Sequence, residues 1–121
     1  MAQHLTPRVL LVDDDPLVRS FARDVMEEAG YEVAEAANVD EAMRGLEKDG
    51  FAIVVTDIEM PGSANGVDLA WTIRSRWPYL GVIIMSGCRL PLPMDIPEQA
   101  LMLTKPFTGQ RLIDALLVAT R

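Results

Sequence analysis

The sequence predicts an α/β fold built on a parallel sheet, and three observations carry that prediction. Short apolar runs, too brief for helices, recur at residues 8–12, 51–56 and 81–85. Between them lie segments whose apolar residues fall at helical spacing, so strand and helix alternate along the chain. Half of the 121 residues are apolar, which supplies one core for one domain over 1–121, with its core at about 8–120.

The elements follow in order. Arg8 to Val12 (RVLLV) is a first strand, and Asp15 with Pro16 stands where a helix N-cap and first helical residue belong. Val18, Phe21, Ala22, Val25 and Ala29 then recur at helical spacing, and Gly30 suits the stop. Tyr31 to Ala36 alternates as a second strand. Asn38 and Glu41 sit at capping-box spacing before Ala42, Met43 and Leu46. Phe51 to Thr56 is a third strand ending at Asp57, and Pro61 to Gly66 is a turn-rich loop. Val67 to Trp77 reads as a helix stopped by Pro78. Gly81 to Met85 is a fourth strand and Leu101 to Thr104 a fifth. Thr108 can cap a last helix that turns Leu112, Ile113, Leu116 and Ala119 inward. Five strands joined by right-handed crossovers at this length fit a flavodoxin-like (βα)5 three-layer sandwich with strand order 2-1-3-4-5.

Bulk properties narrow the functions. A net charge of −7 argues against a nucleic-acid surface, which needs clustered Lys and Arg. The single cysteine, Cys88, excludes an internal disulfide framework and fits a reducing cytoplasm. No apolar run reaches membrane-spanning length, and the first twenty residues carry three aspartates rather than a signal-peptide pattern. The only histidine is His4, so phosphohistidine chemistry requires a second molecule.

In open parallel sheets, ligands bind beyond the carboxyl ends of the strands. Here the first strand ends in Asp13, Asp14 and Asp15, the third in Asp57, the fourth in Ser86 and the fifth in Lys105. Acids crowded at one edge repel one another unless a cation joins them. A hard divalent ion such as Mg²⁺, which prefers few carboxylates plus waters and phosphate oxygens, meets that need. With an ammonium and a hydroxyl beside it, the set suits phosphoryl transfer, which is mostly positioning and charge neutralisation. Taken singly, each residue has a plainer reading as a cap or turn residue, and Asp15 before Pro16 is read as one.

At these residues the chain resembles the receiver domain of two-component response regulators. The likeness spans Val9 to Leu117 and rests on LLVDDD at 10–15, VVTDIEMPG at 54–62, the strand ending in Ser86, and KPF at 105–107. It implies a bacterial cytoplasmic signalling protein in which Asp57 accepts a phosphoryl group from a phosphohistidine of a histidine kinase or histidine phosphotransfer protein. It implies Mg²⁺ held by Asp14, Asp57 and the backbone carbonyl of Glu59, with Asp13 acting through water. It implies that Ser86 binds a phosphoryl oxygen and that Lys105 pairs with the acids or the phosphoryl group. Gly87 would keep the approach open. Such a receiver promotes its own phosphorylation and dephosphorylation but is not a turnover enzyme. Glu59 and Cys88, two residues beyond Asp57 and Ser86, would tune the phosphoryl lifetime.

Three departures stand out. The loop after Met60-Pro61 reads GSANG, one residue longer than the common pattern. The family's aromatic three residues before the lysine is Met102 here, which can fill the same space with softer specificity. After Ser86, Pro91, Pro93 and Pro97 fall where the fourth helix of the family runs, so a loop or one short helical turn is expected. That stretch carries Leu90, Leu92, Met94 and Ile96, which either cover the sheet or form a partner or homodimer contact. Little sequence follows the last helix, so the expected output is contact with a protein target, whether the receiver stands alone or comes from a hybrid kinase. The competing enzyme reading is a haloacid-dehalogenase-like phosphatase with Asp13 as nucleophile and Asp15 as general acid/base. Leu17 and the lack of an acidic pair after Lys105 count against it. A nucleotide-binding module is disfavoured because no glycine-rich loop follows the first strand.

Overall fold

The computed structural model describes residues 6–48, 50–60, 62, 64–87 and 96–120. The elements run β1 (Arg8–Val12), α1 (Pro16–Glu28), β2 (Glu32–Ala36), α2 (Val39–Lys48), β3 (Ile53–Asp57), α3 (Gly66–Arg76), β4 (Gly81–Ser86), β5 (Leu101–Thr104) and α4 (Gly109–Ala119). All strand pairs are parallel and the order is β2-β1-β3-β4-β5, as the alternation of elements predicts.

The sheet divides the core into two layers because successive strand side chains point to opposite faces. Leu10, Val12, Val54, Val82 and Ile84 pack with Ala42 and Leu46 of α2 and Leu69, Ala70 and Ile73 of α3. Val9, Leu11, Ile53, Val55, Ile83, Met85 and Leu103 pack with Ala22 and Met26 of α1 and Leu112 and Leu116 of α4. Strands buried on both faces read as continuous apolar runs, and each large side chain removed from water contributes about 1.5–3 kcal/mol.

Side chains set the helix starts. Asp15 accepts the Leu17 N–H at 2.9 Å with Pro16 as the first helical residue, and Thr108 accepts the Arg111 N–H at 3.1 Å. Asn38 accepts the Glu41 N–H at 2.8 Å, but the Glu41 carboxylate reaches the Ala37 N–H rather than that of Asn38, so the expected box is displaced by one residue. A complete capping box forms instead at Asn65 and Asp68, which start α3 one residue before the predicted Val67. Gly30, at φ +100°, closes α1.

The buried residues of α1 are only partly those at the predicted helical spacing. Ala22 and Met26 are the buried residues, while Phe21 is 45% exposed and meets the Phe107 ring at 6.0 Å. One residue is a 100° turn of a helix, so a spacing argument that takes in both 21 and 22 leaves the facing residue open. Residues 88–95 lie outside the described residues, and with them most of the expected loop and Cys88. What is described there is not helical: Pro97 is buried, Ala100 donates to the Pro97 carbonyl at 3.0 Å, and Ile96, Ala100 and Met102 pack on the α2/α3 side of the core.

Candidate functional site

Strand register brings the chemistry together. Val12 pairs with Thr56, Asp57 with Met85, and Ser86 with Thr104, so Asp13, Asp57, Ser86 and Lys105 leave the sheet at its carboxyl edge. Carboxylate oxygens of Asp13, Asp14 and Asp57 lie within 4.8 Å of one another. Asp13 is fully buried, Asp14 is exposed and Asp57 is half-buried. Asp15 is not in this cluster and caps α1.

Lys105 faces the two inner acids, with Nζ 3.2 Å from Asp13 Oδ2 and 3.2 Å from Asp57 Oδ1. Asp57 Oδ1 also accepts the Ile58 N–H at 2.9 Å. Its Oδ2 has no hydrogen bond or ion pair among the described residues. Burial first, and repulsion from Asp13 second, push the Asp57 carboxyl above its ordinary range despite Lys105 and the Ile58 amide. Burial opposes the charge on Lys105, but Asp57 and Asp13 outweigh it and the ammonium is held above its usual value. The Lys105–Pro106 peptide bond is cis.

Asp57 opens onto a cavity of about 240 Å³ lined also by Ile58, Glu59, Ser86 and Gly87. A Cβ at Gly87 would only touch the Lys105 Cβ at 4.0 Å, so the fold itself does not demand glycine there, while a side chain would narrow the cavity. A larger apolar depression of about 480 Å³ is lined by Leu17, Val18 and Phe21 of α1 together with Lys105, Pro106 and Phe107. Met102 stands opposite Ile84 and, partly buried, packs against the α2/α3 core layer.

Three residues around the site escape a reading of strand ends. Thr56, fully buried, donates to the Asp57 carbonyl at 2.9 Å. Gly66 lies so close that a Cβ would collide with that same carbonyl oxygen and stand 2.8 Å from its carbon. The sequence cue was there, a glycine after a helix-capping Asn, but its contact lies nine residues back and leaves no periodic trace. Arg19 donates to the Asp13 main-chain carbonyl at 2.7 Å.

The donor set fits a hard divalent ion. Three carboxylates meet one ammonium, which leaves net negative charge at the mouth of a cavity, and the exposed Asp14 has no ion pair among the described residues. The phosphatase alternative fares worse, because its nucleophile, Asp13, is wholly buried and engaged by Lys105 and the Asp15 amide.

Comparison with known proteins agrees. Residues 9–117 match the family described as response regulator receiver domain. The chemotaxis protein CheY of Thermotoga maritima is 36% identical over 113 residues, covering 90% of this chain and 93% of that protein. The crystal structure of the response regulator TrrA of Thermotoga maritima, in complex with Mg(2+)-BeF, superposes with a TM-score of 0.81 at 28% identity, covering 93% of this chain and 97% of that one. The C4-dicarboxylate transport transcriptional regulatory protein DctD of Rhizobium meliloti is 35% identical over 115 residues, yet this chain spans only 24% of its length. No comparison supports the phosphatase. Receiver domains are signalling domains that bind Mg²⁺ through an acidic pocket and take phosphoryl groups from histidine kinases or phosphotransfer proteins. Among the described residues no helix is long and apolar enough to cross a membrane. With an acidic pocket at the carboxyl edge of a 2-1-3-4-5 sheet and this match over 9–117, the chain belongs to the response regulator receiver domain family.

Proposed function

We propose that Asp57 accepts a phosphoryl group from a phosphohistidine on a histidine kinase or phosphotransfer protein and passes the signal on through contacts with a protein target. The observation that carries this is the gathering of three carboxylates within 4.8 Å of one another, with Asp57 also on the cavity that Ser86 lines. Asp14, Asp57 and the Glu59 carbonyl would hold Mg²⁺, with Asp13 reaching it through water. When bound, the ion neutralises charge on the phosphoryl oxygens.

The chain's own residues do the rest. An Asp57 carboxylate oxygen attacks phosphorus; the O–P bond forms as the P–N bond of the donor breaks, and the imidazole nitrogen leaves with the electron pair and takes a proton. Lys105, already 3.2 Å from Asp57, exchanges the carboxylate for a phosphoryl oxygen. Ser86 donates its hydroxyl hydrogen to another phosphoryl oxygen. Met102 and the residues packed beside it then feel the movement of Ser86 in place of an aromatic side chain. Hydrolysis of the acyl phosphate ends the signal, and Glu59 at the cavity wall influences access of water. The protein works in the cytoplasm, where such kinases present their phosphohistidines.

Incubation with acetyl phosphate and Mg²⁺ tests the assignment. The wild-type chain is expected to take up base-labile, acid-stable label, and Asp57→Asn to take up none. Undiminished label on Asp57→Asn would overturn it.

A further inference from the structure

Resting on that reading of the acidic site, we propose that Arg19, aimed by Glu35, is a positioning residue that fixes the turn between Asp13 and Asp14 so that both carboxylates converge on Asp57.

Every polar group of Asp13 is engaged. Its N–H donates to the Ala36 carbonyl at 3.0 Å, its Oδ1 accepts the Asp15 N–H at 2.9 Å, and its Oδ2 faces Lys105 at 3.2 Å. The remaining group is its carbonyl, which accepts from Arg19 Nη1 at 2.7 Å. That carbonyl belongs to the peptide plane joining Asp13 to Asp14. Rotation of the plane would swing the Asp14 carboxylate away from Asp57 while leaving Asp13 in place. The arginine bond therefore sets the angle between two of the three acids.

Arg19 is itself held. Its Nε donates to Glu35 Oε1 at 2.9 Å, and Glu35 Oε2 takes Arg23 Nη1 at 2.9 Å. Arg19 and Arg23 are one helical turn apart on α1, and the Glu35 carboxylate on the edge strand β2 offsets their repulsion. The Arg19 side chain is 22% exposed, so water competes only partly for its bonds. A guanidinium spans carbonyl and carboxylate with two different nitrogens, whereas a lysine offers a single nitrogen. An ion pair that served only as surface decoration would have no reason to include the main-chain carbonyl next to the acidic cluster.

The two accounts differ in sign. Removing a cation near three carboxylates strengthens divalent-ion binding through charge alone. Losing the orientation of the turn weakens it, as loss of outer support does at other metal sites. The experiment is a titration of the full chain with MgCl2, without phosphodonor, followed by amide NMR shifts. Arg19→Gln is expected to weaken Mg²⁺ binding about tenfold. Arg19→Lys should weaken it comparably although the charge is kept, and Glu35→Gln should weaken it less. Arg23→Gln, which removes the same charge without touching Asp13, should bind like the wild type or more tightly. If Arg19→Gln does not fold, Arg19→Lys and Glu35→Gln carry the test. Binding by the Arg19 variants as tight as wild type, or an equal loss in Arg23→Gln, overturns the inference alone. Failure of the wild-type chain to bind Mg²⁺ overturns the reading of the acidic site on which it rests.

Discussion

Asp57 and Lys105 make opposite demands on stability, and both can be measured. The Asp57 carboxyl lies above its ordinary range because of burial first and Asp13 second, so the folded chain holds that proton more tightly than the unfolded chain. The stability this confers is complete below the unfolded value and is lost as pH rises through the folded value, a window just above the usual aspartate range. Asp57→Asn, which cannot ionise, should therefore melt at a higher temperature than wild type near neutral pH without metal, by roughly 4 °C for each kcal/mol recovered. The gap should close as pH falls toward about 4. An Asn variant less stable at neutral pH would contradict this account of the site. Lys105→Ala removes the cation from the wholly buried Asp13 and should cost about 1–3 kcal/mol in metal-free urea unfolding. Mg²⁺ binding should survive it, because the ammonium competes for the same carboxylates, while modification of the variant should no longer change partner binding. The acids and the lysine were legible in the sequence because each ends an apolar run. Arg19 was not, since its partners at 13 and 35 are distant and polar, and a surface arginine on a helix carries no pattern.

At the scale of elements, the start of α3 ties local structure to the site. Asn65→Ala breaks the capping box and should destabilise by about 1 kcal/mol without altering labelling of Asp57. Gly66→Ala forces a Cβ against the Asp57 carbonyl and should cost about 1–3 kcal/mol and also slow labelling, because the Asp57 peptide must move. Equal labelling rates in the two variants would count against that coupling. Strands were the legible elements: a parallel strand buried on both faces is an unbroken apolar run, as in Val9–Val12 and Val82–Met85. Helix faces were less so. Spacing alone does not separate Phe21 from its neighbours: Met26 takes the core, and Phe21 turns toward Phe107. The box at Asn65 and Asp68 straddles the turn-rich loop that ends at Gly66 and the helix predicted from Val67.

For the molecule as a whole, the sheet order places two layers of core beneath one polar edge, so binding at that edge should stabilise the entire domain. Mg²⁺ binding only the folded chain adds about 2.7 kcal/mol at a hundred times its dissociation constant, so the melting temperature should rise with MgCl2 and fall back with a chelator. Topology was readable from the alternation of strand and helix, because βαβ connections allow few arrangements. Pro91, Pro93 and Pro97 predict a loop or one short turn in place of a helix; residues 96–100 are non-helical, and 88–95 lie outside the described residues. The central claim is that one oxygen of Asp57 receives the phosphoryl group. Its most direct test is peptide mapping by mass spectrometry after transfer from a phosphorylated histidine kinase. The account predicts a single modified carboxyl, at Asp57; a phosphoryl group found on Asp13, or on any other residue, would contradict it.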